Sequence, residues 1–288
     1  MVERSLGAEA IADWIEVEAL TGSTPGRSID EFTQVAVDQL GITTDRAHGA
    51  LNLIGRRSRV LGDQYPIDVR KVGLIRKPNP LAFPYVGLLL ISPSLPSRSL
   101  SDKQLEIAAI ALEDAAAEAL ANFLGEGGKA IRFAWPSSVG RPEQFAHAIT
   151  WLVEQMGATL GDAYRQPRRK DGGVDVVAWR PFPDQRSGFP VILAQATIGT
   201  DYVNKSADID LRLWSGWLSL DVDPTIALVM PGTLPNGEEW NEMAARSLIF
   251  ERVRLAGLLP VGIESPSLRS LRDLAAEIMG IPTFGSGE

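Results

Sequence analysis

One segment concentrates residue types that can do chemistry. It reads Arg168-Arg-Lys-Asp-Gly-Gly-Val-Asp-Val-Val-Ala-Trp179, followed by Ile192-Leu-Ala-Gln195 and by Lys205. Asp175 interrupts a run of valines, where a carboxylate is disfavoured by strand propensity and costly to bury without a partner. Gly172 and Gly173 let the backbone turn tightly into that strand. Gln195 ends the next apolar run. If the two strands pair as a hairpin, Asp175 and Gln195 share one sheet end. Lys205, in the first turns of the next helix, then reaches back over it. A carboxylate, an amide and an ammonium would then meet at one sheet end. Each residue also has an ordinary reading: a solvent-facing edge carboxylate, a plain strand-end amide, a solvated helix lysine.

Composition narrows the field. The 288 residues carry 28 Lys and Arg against 36 Asp and Glu, a net charge of −8, with no cysteine. That excludes a disulfide framework, a zinc finger, an iron–sulfur cluster and a thiol nucleophile. His48 and His147 are the only histidines, which excludes a multi-histidine metal site; His147 is expected to pack or face water. The acidic balance argues against coating nucleic acid by bulk charge. The start is acidic where a secretory signal would be basic. Val86-Gly-Leu-Leu-Leu-Ile91 is far too short to span a bilayer. A cytoplasmic location without membrane contact is expected, and the sequon Asn204-Lys-Ser206 is read as chance.

The elements that must position the chemical groups follow from periodicity. Residues 6–20 place Ile11, Trp14, Ile15 and Leu20 at helical spacing. Ser28 and Glu31 form a capping box opening a helix with Phe32, Val35, Ala36 and Leu40, stopped by Gly41. A helix is predicted over 44–60. Ser101 and Gln104 open a long Ala-rich helix towards Phe123-Leu124. Gly125-Glu-Gly-Gly128 breaks the pattern, which divides the chain into a helical accessory domain, 1–128, and an α/β domain, 129–288. In the second, a helix over 142–157 carries Phe145, Ala148, Ile149, Leu152 and Val153 on one face. A weak strand near 158–160 is expected next, then strands 174–179 and 189–195, a helix over 200–214, an apolar strand over 225–230, and helices over 239–258 and 267–279. Strands mixed with helices argue for an α/β sheet.

At this point a family resemblance emerges. The helix, the Asp-Gly-Gly-Val-Asp-Val turn and strand, and the Gln-ended strand resemble the PD-(D/E)XK (restriction-endonuclease-like) superfamily, most closely its Mrr-type nucleases, over roughly residues 140–258. The resemblance implies an α-β-β-β-α-β core, here with C-terminal helices. It implies that Asp175 is a Mg²⁺ (or Mn²⁺) ligand and that Gln195 stands for the Glu/Gln of the (E/Q)xK element. A backbone carbonyl near Ala196 would add an oxygen. Phe145 with Gly157 resembles the Mrr helix, with Met156 where a Leu would stand. Two positions depart from the pattern. Thr197 occupies the usual lysine position, so Lys205 would be a relocated lysine. Ala146 follows the helical Phe where an acid is usual, so Glu143 or Glu154 would complete the metal shell.

The implied function is Mg²⁺-dependent DNA endonuclease activity in restriction or anti-phage defence, with Asp175, Gln195 and Lys205 catalytic. Arg165, Arg168, Arg169 and Lys170 would grip phosphate without reading sequence, although a solvated loop is equally compatible. Two alternatives stand beside it: a catalytically inactive nuclease-fold scaffold, and a nuclease activated only by a partner. The N-terminal domain is a possible protein-partner or homo-oligomer surface. Trp214 and Trp217 are expected in a core or interface, with base stacking the remote alternative. Between Arg46 and Lys77 eight basic residues face only Asp63 and Asp68. That stretch reads as a second DNA-facing surface, a dock for an acidic partner, or a solvated helix face.

Overall fold

The structure, a computed structural model, describes residues 6–96, 99–163, 167, 171–205 and 207–282. It is mixed α/β. The chain forms two compact units, one made of 1–111, 231–235 and 251–288, the other of 112–230 and 236–250. This differs from a division at Gly128: the units part inside the Ala-rich helix, and the C-terminal residues belong with the N-terminal ones.

The elements run α1 (Ala8–Thr21), β1 (Gly26–Ser28), α2 (Ile29–Leu40), α3 (Thr44–Leu61), β2 (Ile67–Arg70), β3 (Gly73–Arg76), α4 (Pro84–Leu90), α5 (Asp102–Phe123), β4 (Lys129–Arg132), α6 (Phe145–Met156), β5 (Thr159–Leu160), β6 (Val176–Trp179), β7 (Val191–Ala196), α7 (Tyr202–Lys205), α8 (Leu211–Trp217), β8 (Leu218–Ser219), β9 (Thr225–Val229), α9 (Glu238–Ala244), β10 (Leu248–Phe250), α10 (Arg252–Leu258) and α11 (Arg269–Met279).

The first unit is helical, as expected, but contains a three-stranded antiparallel sheet, β1-β3-β2, that periodicity did not reveal. The strands are only three or four residues long, too short for a period-2 signal to register. The capping box at Ser28 forms in full, and Gly41 ends α2 in the left-handed conformation. The apolar run over 86–91 lies in and just after α4, a wholly buried helix. Ile11, Ile15, Phe32, Ile54 and Tyr65 anchor the core.

That core also encloses charge. Arg57 meets Asp13 at 2.8 Å, Glu16 at 2.9 Å and also Glu9, while Arg252 pairs with Asp13. Tyr65 and Tyr85 donate their hydroxyls to Glu16 at 2.5 and 2.9 Å. Burial by itself raises the Asp13 carboxyl, yet Arg252 and Arg57 outweigh it and hold the group below its ordinary range. Thr233 accepts from Arg57 at 2.7 Å and donates to Glu9 at 2.9 Å. The network therefore ties 231–235 and α10 into the first unit.

The second unit is built on a five-stranded sheet in the order β4-β6-β7-β9-β10. β4, β6 and β7 form an antiparallel meander, and β9 and β10 continue it in parallel. Three expectations are corrected here. The strand near 158–160 exists, but it pairs with β8 in a separate two-stranded ribbon. β4 takes the place beside β6. The helix expected over 200–214 is two short helices, because Asp210 caps a new one by accepting from the Arg212 and Leu213 amides. The helix expected over 239–258 is α9, β10 and α10: Leu248, Ile249 and Phe250 extend alongside β9, where Met230 donates to the Phe250 carbonyl at 3.0 Å.

Candidate active site

Asp175 stands one residue before β6, at the sheet end where Gln195 closes β7. Its amide donates to the Ala194 carbonyl at 2.9 Å, which fixes the hairpin register. Its carboxylate accepts from the Ala196 amide at 2.8 Å. The turn that delivers it needs both glycines. Gly172 has φ +65° and Gly173 φ +81°. A Cβ on Gly172 would meet Phe145 at 3.0 Å and Trp214 at 3.2 Å, and one on Gly173 would meet the Asp208 carbonyl at 3.1 Å. Trp214 locks the turn by donating its indole N–H to the Gly172 carbonyl at 3.1 Å. Trp214 and Trp217 are core residues, edge-on to Phe145, and Phe133 is edge-on to both Phe145 and Trp214.

Gln195 is 4% exposed. Its amide nitrogen donates to Asp208 at 3.3 Å. Because the group facing a carboxylate must be the NH₂, this contact orients the amide and leaves Oε1 as the acceptor. That oxygen is buried with no hydrogen-bond partner. Lys205, at the end of α7, donates to the same Asp208 carboxylate at 3.3 Å. Lys205 also acts electrostatically on Asp175. Gln195 and Lys205 are thus joined through Asp208, which sequence reasoning did not single out, and Asp175 is tied to β7 by the Ala196 amide.

A second carboxylate comes from α5. Glu113 acts on Asp175, and burial together with Glu113 pushes the Asp175 carboxyl up to about 7, against the pull of the Ala196 amide. Burial raises Glu113 too, against Arg132. The buried Arg132 guanidinium meets Glu113 at 2.5 Å and donates to the Pro136 carbonyl at 2.9 Å. Burial is the largest cause of both shifts, so the two carboxyls mark a site stripped of water.

Glu113 takes the place expected of Glu143 or Glu154. Glu154 is exposed on α6 and borders a cleft with Arg180 and Pro190, at the opposite end of the β6–β7 hairpin from Asp175. Glu143 is exposed ahead of α6. Phe145 and Gly157 do bound α6, and His147 is exposed. Arg165, Arg168, Arg169 and Lys170 lie outside the described residues.

Among the described residues no three His, Cys, Asp or Glu side chains group as a ready-made cation cage. The donor set here is smaller: Asp175, Glu113 and the unpartnered Gln195 oxygen. It suits Mg²⁺, which is commonly held by one or two carboxylates and completes its shell with water and substrate phosphate. Set against models of protein families, curated proteins and solved structures, the chain finds no match in any of the three. Among the described residues no helix is long and apolar enough to cross a membrane.

Proposed function

We propose that the second unit is a divalent-metal-dependent phosphodiesterase acting on DNA, with the site arrangement of the restriction-endonuclease-like superfamily. The carrying observation is the buried, unpartnered Gln195 Oε1, one residue before the Ala196 amide that donates to the raised Asp175 carboxyl. A buried acceptor without a donor costs about 1–3 kcal/mol, and a cation between it and Asp175 relieves both. An α-β-β-β-α-β order is met only if the second half of α5 and β4 stand in for the helix over 142–157 and the strand near 158–160 that were expected there, followed by β6, β7, the α7–α8 region and β9, with α6 and β5 inserted.

In this reading Asp175, Glu113 and Gln195 hold Mg²⁺ or Mn²⁺. Bound there, the cation polarises the phosphate and makes a water more acidic. Asp208 holds Lys205 over the site, where its ammonium orients the attacking water or balances phosphate charge. Restriction or anti-phage defence is the setting that the family resemblance suggests. The test is cleavage of supercoiled and linear DNA in Mg²⁺ or Mn²⁺. Asp175→Asn and Lys205→Met are expected to lower the rate at least ~100-fold, and cleavage surviving in Asp175→Asn overturns the assignment.

One observation favours a second reading, a nuclease silent until a partner acts. Lys205 is already paired to Asp208 rather than free above Asp175. Cleavage appearing only with a partner, or on Asp208→Asn, supports it. Absence of cleavage under all these conditions favours a scaffold.

A further inference from the structure

We infer that the first unit carries its own binding site for the phosphodiester backbone of duplex nucleic acid, in the cleft between α3 and the β2–β3 hairpin. The site is separate from the proposed catalytic residues, and it stands whether or not the second unit cleaves.

The eight basic residues over 46–77 do not act alike. Arg57 is consumed by the buried network, Arg46 and Arg76 donate to backbone carbonyls, and Lys77 donates to the Asp63 carbonyl at 3.2 Å. Arg56, Arg59, Arg70 and Lys71 remain exposed; Arg59 also donates to the Gly55 carbonyl at 3.2 Å, and Arg59, Arg70 and Lys71 line one open cleft of about 650 Å³. The α3 wall follows from spacing. His48, Asn52, Gly55 and Arg59 recur at intervals of four, three and four, which puts them on one helical face. Opposite, Arg70 pairs with Gly73 across a two-residue turn, so Arg70 and Lys71 sit at the hairpin tip. The lining includes no carboxylate. The nearest acid paired with these cations is Asp68, a loose 3.9 Å from Arg70.

The lining chemistry selects the partner. Guanidinium, ammonium, amide and hydroxyl groups donate well to phosphate oxygens. No Phe, Tyr or Trp lines the cleft and His48 is its one ring, so it lacks the run of stacking platforms that a single strand uses. That points to the backbone of a duplex, held without reading sequence. An acidic protein would need an apolar centre to hold stably, and the apolar lining here is Ile29, Leu51 and Val69, none of them exposed. Gly55 adds an independent mark. It lies mid-helix, where glycine is unfavourable, yet no atom within 4 Å would oppose a Cβ there. Packing does not require the glycine, whereas a backbone lying in the cleft gains room from it.

The test uses the full chain in EDTA with a fluorescently labelled ~30-base-pair duplex, its binding followed by anisotropy across a KCl series. The triple variant Arg59→Glu/Arg70→Glu/Lys71→Glu is expected to weaken binding at least ~10-fold near 100 mM KCl and to flatten the salt slope by about 2–3, since each phosphate contact contributes about 0.9. Gly55→Leu, which keeps every charge, is expected to weaken binding at least ~3-fold with the slope nearly unchanged. Arg186→Glu, at an exposed cation of the second unit, is expected to bind like the parent, which separates the cleft from a general loss of positive charge. Parent-like affinity in the triple variant overturns the proposal. So does parent-like affinity in Gly55→Leu, which would reduce the cleft to diffuse charge. Binding of polyglutamate in preference to duplex overturns it in favour of an acidic protein partner.

Discussion

Replacing Asp175 with Asn separates a site built to hold a cation from a carboxylate that happens to be buried. Asn keeps the shape and an oxygen to accept from the Ala196 amide, and removes the charge. The Asp175 carboxyl rises from 3.8 to about 7. At about 1.4 kcal/mol per pH unit, the ionised form costs the folded chain about 4 kcal/mol. Because the folded state holds this proton more tightly than the unfolded chain, the parent loses stability as pH climbs from about 4 to about 7 and is level above that. Asn is insensitive to this change. Its advantage over the parent is therefore about 2 kcal/mol near pH 5 and about 4 kcal/mol at pH 8, less whatever relaxation recovers. Urea unfolding in EDTA measures it, with tryptophan fluorescence as the probe, since Trp135, Trp151, Trp179, Trp214, Trp217 and Trp240 all belong to the second unit. Glu113→Gln removes a charge that raises Asp175, so the parent's decline moves to lower pH. Adding Mg²⁺ or Mn²⁺ at pH 8 stabilises the parent and leaves Asp175→Asn unmoved. An Asn variant that is neutral or destabilised at pH 8, or whose gain is the same at pH 5, refutes the reasoning.

Gly172→Ala combines a left-handed backbone with a Cβ 3.0 Å from Phe145, so it costs roughly 2–3 kcal/mol. Gly41→Ala, at φ +63° in open space, costs only about 1 kcal/mol; urea midpoints that match for the two would discount the packing against Phe145 and Trp214. Arg57→Met leaves the fully buried Asp13 and Glu16 carboxylates short of a cation, a loss of about 3–5 kcal/mol. Hydrogen exchange across α1 and α3 should quicken accordingly, with little response to added salt because the pairs are shielded from it.

The sequence revealed the fold best where one signal stood alone. Ser28 with Glu31, and Gly41 after Leu40, gave α2 its ends because caps are local chemistry. The Val and Ile runs gave β6, β7 and β9 because central strands are apolar throughout. The reading failed where short elements share a longer pattern. Met243, Leu248 and Leu255 can be fitted to a helical stripe, yet the middle of that stripe is β10. Its extended form is decided by the hydrogen bonds β9 offers, a partner no local window contains. β4 was hidden for the opposite reason. Lys129-Ala-Ile-Arg132 alternates weakly, and its pairing with β6 is long-range.

The same distinction explains the site. Asp175 was visible because a carboxylate inside a valine run is a local contradiction, and Gln195 because it ends such a run. Glu113 sits in an Ala-rich helix where an acid is unremarkable. Its significance lies in Arg132, nineteen positions later, which holds it beside Asp175, and only the β4–β6 pairing brings that arginine there. Asp208 likewise matters through Gln195, thirteen positions earlier, because a pairing with Lys205 three positions away is by itself unremarkable. In the metal-site reading proposed above, the burial that makes Asp175 and Glu113 costly as anions would also make them strong ligands. A cation entering between them meets groups that the fold has already stripped of water, so binding recovers a cost that folding imposed. An acid placed instead at Glu143 or Glu154, exposed and well solvated, would have to lose water to do the same. The helix that precedes β4, rather than the helix that follows it, is therefore the better source of the second carboxylate.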